Sequence, residues 1–201
     1  MELVLVRHAL PVRIDATEDG GPADPGLSEL GRRQAERLVQ ALAGDTLSHL
    51  YSSPAARSVE TAAPLVAAVG LPLVLEAGLA EFDVAHSSYV PVEELRVEND
   101  PRWERLVQGD LYHPEVDPEE FRERVVTILE AIAQRHPGGR VVVFTHSGVI
   151  NAYTAHVTGQ ERLLWFAPAY ASFSRLGAAR DGRRGIISLN ETGHVRDLLT
   201  R

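Results

Sequence analysis

The stretch Leu3-Val4-Leu5-Val6-Arg7-His8-Ala9 decides the fold of this chain and locates its site. Four apolar residues without polar alternation are typical of a strand buried on both faces, in the middle of a parallel sheet. The arginine and the histidine follow at the carboxyl end of that strand. Ligands of open α/β sheets bind at this end, where helices begin and their free N–H groups point outward. We therefore expect the functional site to be built around His8.

A second stretch has the same pattern, an apolar run followed closely by a histidine. Val141-Val142-Val143-Phe144 reads as another buried strand, and Thr145-His146-Ser147-Gly148 follows it. A single histidine after a strand is more often structural than catalytic, but two such strand-end histidines in one small domain favour a site. Ser147 and Gly148 begin the next helix, so their backbone N–H groups are accessible to an anion and are candidate substrate contacts.

The rest of the pattern predicts an α/β fold, a three-layer α/β/α sandwich with a mostly parallel central sheet and an antiparallel edge hairpin. Apolar residues recur at helical spacing after Ser28 and again after Asp117, two residues that cap helices well. The other predicted strands are Leu47–Tyr51, Pro72–Leu75, Ala171–Leu176 and Ile186–Leu189, the last two joined by a turn at Asp181-Gly182.

The length of 201 residues predicts a single domain, 1–201, with enough chain to bury a core. The segment from about 84 to 117 is the least regular, with three prolines and several aromatic residues, and we expect it to be an inserted cap that shapes substrate access. The loop Pro11–Pro25 is acidic and rich in turn residues. It is either a solvated connection or a rim over the pocket, and we slightly favour the rim.

Two more residues are candidates for the site. Ser52-Ser53-Pro54 is a helix start signal with Pro54 at the first helical position, which places Arg57 in the first turn, near the same sheet edge as His8. An arginine there is a better anion ligand than one on an ordinary helix surface. Glu81 has apolar neighbours, so it is either an ordinary loop carboxylate or an acid with a raised pKa. The sequence leaves both readings open.

Composition excludes several classes of protein. The chain has no cysteine, so neither disulfides nor thiolate chemistry arise. A formal net charge of −8 argues against a general nucleic-acid binder. Apolar runs are far shorter than the roughly 18 to 20 residues that span a bilayer, and no signal-peptide pattern opens the chain. We expect a cytoplasmic protein without membrane or nucleic-acid partners, and we leave a homodimer open.

The chemistry of this residue set favours phosphate over a metal. Zinc and iron sites rarely place two arginines against their ligands, because like charge opposes the cation. Guanidinium groups match phosphate oxygens, and nearby arginines keep His8 neutral. A neutral imidazole can attack phosphorus in line and form a phosphohistidine, while Glu81 protonates the leaving alcohol.

These residues resemble the histidine phosphatase superfamily, also called the phosphoglycerate mutase-like proteins. The matching blocks, in the family's order, are Arg7-His8-Ala9, Gly26 to Ala35, Ser52-Ser53-Pro54 to Arg57 with Glu60-Thr61-Ala62, Leu79-Ala80-Glu81, and Thr145-His146-Ser147-Gly148. The resemblance implies that His8 is the phosphorylated nucleophile, that Arg7, Arg57 and His146 bind phosphate, and that Glu81 is the proton donor. It also implies that no cofactor and no metal is needed.

The chain departs from the family at two points. Ala9 replaces the glycine that commonly follows the histidine, and no asparagine lies between Leu10 and Gly26 to add a phosphate contact. Residues of the acidic loop or the cap would have to replace that contact, or the pocket does without it.

The resemblance alone does not decide between hydrolysis and mutase-type phosphoryl transfer. Mutases of the family look longer and follow the acid with arginine, histidine and tyrosine, whereas Phe82-Asp83 follows Glu81 here. We therefore expect a phosphatase that hydrolyses a phosphate monoester through a phosphohistidine, with a small phosphorylated metabolite as its substrate. The alternatives are mutase-type phosphoryl transfer and a non-catalytic protein that binds a phosphorylated ligand. Several arginines and aromatic residues could line the pocket, but each is at least as easily explained as a surface or cap-packing residue. They are Arg13, Arg96, Arg102, Trp103, Arg105, Tyr112 and His113.

Overall fold

The computed structural model describes residues 1–109, 111 and 116–199. Their strands are β1 (Glu2–Arg7), β2 (His49–Ser52), β3 (Leu73–Leu75), β4 (Arg140–Thr145), β5 (Phe173–Ala178) and β6 (Arg184–Glu191). Their helices are α1 (Glu29–Leu42), α2 (Ala56–Val69), α3 (Val92–Val97), α4 (Pro101–Gln108), α5 (Pro118–Arg135) and α6 (Ser147–Thr158), with short 3₁₀ turns at Ala77–Leu79 and Arg196–Leu198. No helix in these ranges is long and apolar enough to cross a bilayer.

The strands form one sheet in the order β3-β2-β4-β1-β5-β6. Strands β1 to β4 pair in parallel, while β5 runs antiparallel to β1 and β6 antiparallel to β5. The predicted fold class, a mostly parallel sheet with an antiparallel edge hairpin, is therefore confirmed. In the β1–β4 pair Arg7 lies opposite Thr145, so the two residues that follow, His8 and His146, leave the sheet side by side.

The sheet separates two apolar cores. Leu3 and Leu5 of β1 pack with residues of α5 and α6, such as Leu129 and Ile150. Val4 and Val6 point to the other face and pack with α1 and α2. Because successive strand residues face opposite sides, an uninterrupted apolar run fits a strand covered on both faces, and the three-layer prediction is confirmed.

In both α1 and α2, a side-chain oxygen accepts a hydrogen bond from a backbone N–H of the first turn. Ser28 caps α1, where its Oγ accepts from Gly31 N at 3.0 Å and donates to Leu10 O at 2.9 Å. The predicted start of α2 at Pro54 is wrong, because the helix begins at Ala56. The reason is a partner distant in sequence: Ala56 N donates to Asp24 Oδ1 at 2.8 Å, which satisfies the first N–H of the helix.

The segment between 84 and 117 contains α3 and α4, joined by irregular chain in its described part. The acidic loop pairs with the beginning of this segment through a bridge between Ile14 and Tyr89 and a 2.8 Å bond from Thr17 N to Ser87 O. Among the described residues, none from this loop lines either of the two cavities at the carboxyl end of the sheet. The loop therefore supports Tyr89, which does line one of them, rather than forming a rim itself.

Candidate active site

Four of the expected residues meet at the carboxyl end of the sheet. Arg7 ends β1 and His8 follows it, Arg57 lies in the first turn of α2, and His146 connects β4 to α6. All four side chains are buried although all four are polar or charged. The ring centroids of the two histidines are 5.1 Å apart. Buried charges and imidazoles in such numbers are unusual in a plain core and indicate a functional site.

His8 has its tautomer fixed by the backbone. Its Nδ1 lies 2.9 Å from the carbonyl oxygen of Ala9, and because a carbonyl only accepts, Nδ1 carries the proton. Burial lowers the pKa of His8 well below its ordinary value, and the charges of Arg57 and Arg7 lower it further. Desolvation is thus a larger cause than the arginines on which the sequence argument relied. The neutral ring keeps its lone pair on Nε2, and His8 lines a cavity of about 60 Å³.

His146 is held from the opposite side. Its Nε2 lies 2.9 Å from Ser53 Oγ and 3.5 Å from Ser58 Oγ, both on the segment that leads into α2 or begins it. Burial is the largest cause that lowers the pKa of His146 well below its usual range, followed by the charge of Arg57. When a serine hydroxyl donates to Nε2 of the neutral ring, the proton resides on Nδ1.

Three buried nitrogens of this cluster have no hydrogen-bond partner among the described residues: Arg7 Nε, Arg57 Nε and His146 Nδ1. A buried donor without a partner costs about 1–3 kcal/mol, and more when it is charged. An oxyanion supplies acceptors for all three. Unpartnered Nε atoms also occur on Arg122 and Arg140, so what favours an anion here is that three such nitrogens belong to one cluster beside His8.

The two arginines are positioned by tyrosines. Cζ of Arg7 lies 3.6 Å from the ring centroid of Tyr170, and its Nη1 donates to Pro168 O at 2.7 Å. Cζ of Arg57 lies 4.7 Å from the ring centroid of Tyr89. The sequence predicts no role for either tyrosine, because no local pattern marks them.

Each arginine also faces a carboxylate. Arg57 Nη2 donates to Asp83 Oδ1 at 3.1 Å, and Arg7 Nη1 lies 3.7 Å from Glu93 Oε1. Asp83 follows Glu81 by two residues, just outside the matching block Leu79-Ala80-Glu81. These pairs balance the buried positive charge, and a phosphate would compete with the carboxylates for it.

Glu81 is a buried acid rather than an ordinary loop carboxylate. Its Oε2 accepts from Gly148 N at 2.8 Å and its Oε1 from Phe82 N at 3.2 Å. Burial raises its pKa to about 7, and the nearby charge of Asp83 adds to this effect against those two hydrogen bonds. An acid with such a pKa holds a proton that it can deliver near neutral pH. The N–H of Gly148 is thereby engaged by Glu81, and Ser147 lines the cavity beside it.

A second cavity, of about 230 Å³, adjoins the first, and Arg7 and Ser147 line both. Of the residues that could have lined the pocket, Trp103 does so. Arg13 instead pairs with Asp15, Glu94 and Glu98, and Arg102 pairs with Asp100. Arg96 and Arg105 line separate hollows. Tyr112 and His113 lie outside the described residues.

The described residues contain no group of three or more histidine, cysteine, aspartate or glutamate side chains placed to hold a metal ion. What they do place together is an imidazole with a free lone pair on Nε2, two arginines and a second histidine with unpartnered nitrogens, and an acid with a pKa of about 7. This combination supports phosphoryl transfer, which needs positioning and charge neutralisation more than covalent help from the protein.

Comparison with known proteins gives a consistent result. Phosphoserine phosphatase 1 of Hydrogenobacter thermophilus is 31% identical over 97% of this chain and 94% of its own length. Phosphoglycerate mutase-like protein 4 of Arabidopsis thaliana is 30% identical over 75% of this chain and 68% of its own. The fold matches that of mycobacterial glucosyl-3-phosphoglycerate phosphatase in complex with inorganic phosphate, with a TM-score of 0.76, 22% identity, and coverage of 96% of this chain and 99% of the other. Residues 3–192 also match the sequence model of a single protein family. The chain belongs to the histidine phosphatase superfamily, branch 1.

Proposed function

We propose that this protein is a metal-independent phosphatase that hydrolyses a phosphate monoester through a phosphohistidine at His8. The observation that carries the proposal is the set of unpartnered buried nitrogens on Arg7, Arg57 and His146 around a histidine whose Nε2 is unprotonated. A unit charge 4 Å from a phosphate charge contributes about 4 kcal/mol at an effective dielectric constant of 20. The two guanidinium groups would therefore stabilise a bound phosphoryl group in competition with the carboxylates of Asp83 and Glu93.

The reaction would take place in two steps. In the first step, Nε2 of His8 bonds to phosphorus, the bond from phosphorus to the alcohol oxygen breaks, and Glu81 gives its proton to that oxygen. In the second step, the Glu81 carboxylate takes a proton from water as the water oxygen bonds to phosphorus. The bond between phosphorus and Nε2 then breaks, and inorganic phosphate leaves. The arginines and His146 donate hydrogen bonds to the phosphoryl oxygens throughout.

Hydrolysis is favoured over mutase activity by the residues after the acid. Phe82 and Asp83 stand where mutases of the family have arginine and histidine, and Asp83 is engaged with Arg57. A relative that matches 97% of this chain is named a phosphoserine phosphatase. We also propose that residues 1–201 are one domain with an inserted cap at about 84–117, because this segment contributes Tyr89, Val92 and Leu106 to the first cavity. The cytoplasmic location and the homodimer stay predictions.

The test is to separate phosphate release from phosphate transfer. Purified protein is incubated with a panel of phosphate esters that includes 3-phosphoglycerate and aryl phosphates, with and without EDTA. We expect inorganic phosphate in both conditions and no interconversion of phosphoglycerates. Interconversion faster than phosphate release would make the protein a mutase, and loss of activity with EDTA that added metal restores would contradict metal independence. Slow phosphate release that survives in His8→Ala would not depend on the proposed nucleophile. It would favour the alternative that this protein binds a phosphorylated ligand without catalysis.

A further inference from the structure

The second cavity borders the phosphate site directly. Arg7 and Ser147 belong to both cavities, and so do Val92, Leu106 and Leu164. A phosphate ester bound at Arg7 and Arg57 would therefore have this larger space next to its phosphoryl group. Its volume of about 230 Å³ is somewhat below the roughly 300 Å³ at which pockets for drug-sized ligands begin, so it suits a small organic group.

The wall of this cavity is apolar and aromatic. Trp103 of α4 and the neighbouring Trp165 and Phe166 present rings, and Leu106 and Leu164 present branched side chains. The polar atom of one indole is already satisfied, because Trp165 Nε1 donates to Thr154 Oγ1 at 3.2 Å. Trp165 and Phe166 therefore offer ring surface for apolar contact rather than hydrogen bonds.

The amide of Asn151 lies in the same wall but is fully engaged. Its Nδ2 donates to Ser147 O and to Phe166 O, each at 3.0 Å, and its Oδ1 accepts from the backbone N–H groups of Trp165 and Phe166. It anchors the wall segment to α6. A ligand would find no free hydrogen-bonding group on this side chain.

Positive charge along the cavity is limited. Among the described residues that line it, the cations are Arg7, which belongs to the phosphate site, and Arg162. The Arg162 side chain lies at the exposed rim, and its Nη2 donates to the carbonyl oxygen of Val107. A leaving group with its own carboxylate, as in phosphoserine or phosphoglycerate, would have Arg162 at the rim as its one cation outside the phosphate site among the described lining residues, and would otherwise face rings and aliphatic side chains.

We propose that this cavity receives the alcohol part of the substrate, and that this alcohol is an uncharged group with an aromatic ring or a branched apolar chain. The inference rests on the proposed phosphatase function and specifies its substrate class. Burial of an apolar group of this size in such a cavity raises kcat/KM by about 10- to 100-fold over a polar group.

The test compares primary alkyl esters, so that differences in leaving-group chemistry remain small. We would measure kcat/KM for 2-phenylethyl phosphate, glycerol 3-phosphate, 3-phosphoglycerate and O-phosphoserine. The phenyl ester should exceed each of the other three by about tenfold or more. Equal values, or a preference for an ester that bears a carboxylate, would overturn the inference while leaving the phosphatase function intact. Release of phosphate from none of the esters would overturn both.

Variants on α4 show whether the cavity causes the preference. Trp103→Ala should lower the ratio of kcat/KM for the phenyl ester over glycerol 3-phosphate by about tenfold. Arg105→Ala is the matched control, because Arg105 lies on the same helix but lines a separate hollow, and it should keep the wild-type ratio. A ratio that Trp103→Ala leaves unchanged would place the preference elsewhere and refute the assignment of this cavity.

Discussion

The guanidinium group of Arg7 lies over the face of the Tyr170 ring, with Cζ 3.6 Å from the ring centroid. These residues come from β1 and from the loop before β5, so the contact joins two parts of the chain that are distant in sequence. The hydroxyl of Tyr170 also accepts from Val92 N at 3.3 Å, at the start of α3. One side chain thus contacts both an arginine of the proposed phosphate site and the first residue of α3.

Removal of this ring should weaken substrate binding. A desolvated cation–π contact is worth about 0.5–2 kcal/mol, so Tyr170→Leu should raise KM for a phosphate ester by between about 2- and 30-fold. Tyr170→Phe keeps the ring and should change KM less. Steady-state kinetics and inhibition by inorganic phosphate measure the effect. Identical KM values for the two variants would show that the ring face does not position Arg7.

Asp83 should influence both the arginine and the acid. Its carboxylate pairs with Arg57 at 3.1 Å and contributes to the raised pKa of Glu81. In Asp83→Asn, inorganic phosphate should inhibit about fivefold more strongly, because a competing negative charge is gone. The alkaline limb of the kcat/KM profile for alkyl esters should also move to lower pH. Asp15→Asn is a surface control, and equal behaviour of the two variants would contradict this role.

Glu81 should destabilise the folded protein above neutral pH. Its folded pKa of about 7 lies above the usual value of about 4.3, so the folded chain retains a proton that the unfolded chain releases between these values. Stability is therefore lost as pH rises from about 4.3 to 7, by up to about 4 kcal/mol. Glu81→Gln should raise the melting temperature at pH 8 more than at pH 4. The reverse order would mean that the carboxyl is ionised in the folded state at neutral pH.

The same variant should discriminate between leaving groups. Alkyl alcohols need a proton as they leave, whereas aryl alcohols leave readily without one. Glu81→Gln should therefore lower kcat for alkyl phosphates by about 100-fold or more, and should lower it much less for aryl phosphates. Comparison of kcat for 2-phenylethyl phosphate and phenyl phosphate measures this. Equal losses would remove Glu81 from the role of proton donor.

Much of the fold and the site could be predicted because both depend on strand patterns. Uninterrupted apolar runs identified β1 and β4 as central strands, and their parallel register places His8 beside His146. Tyr89 and Tyr170 could not be predicted, because irregular segments carry them to the arginines and no periodicity records that packing. The start of α2 was misplaced for a similar reason, since the acceptor for its first N–H is Asp24, from a loop far away in sequence.

Trapping of the phosphorylated enzyme tests the central role of His8 most directly. A radiolabelled phosphate ester is mixed with the protein, the reaction is quenched within milliseconds under alkaline conditions that preserve phosphohistidine, and the labelled peptide is identified. We expect the phosphoryl group on His8 in the wild type and none in a His8→Ala variant whose melting temperature shows that it is folded. A label on another residue, or a label that persists in His8→Ala, would contradict the proposed mechanism.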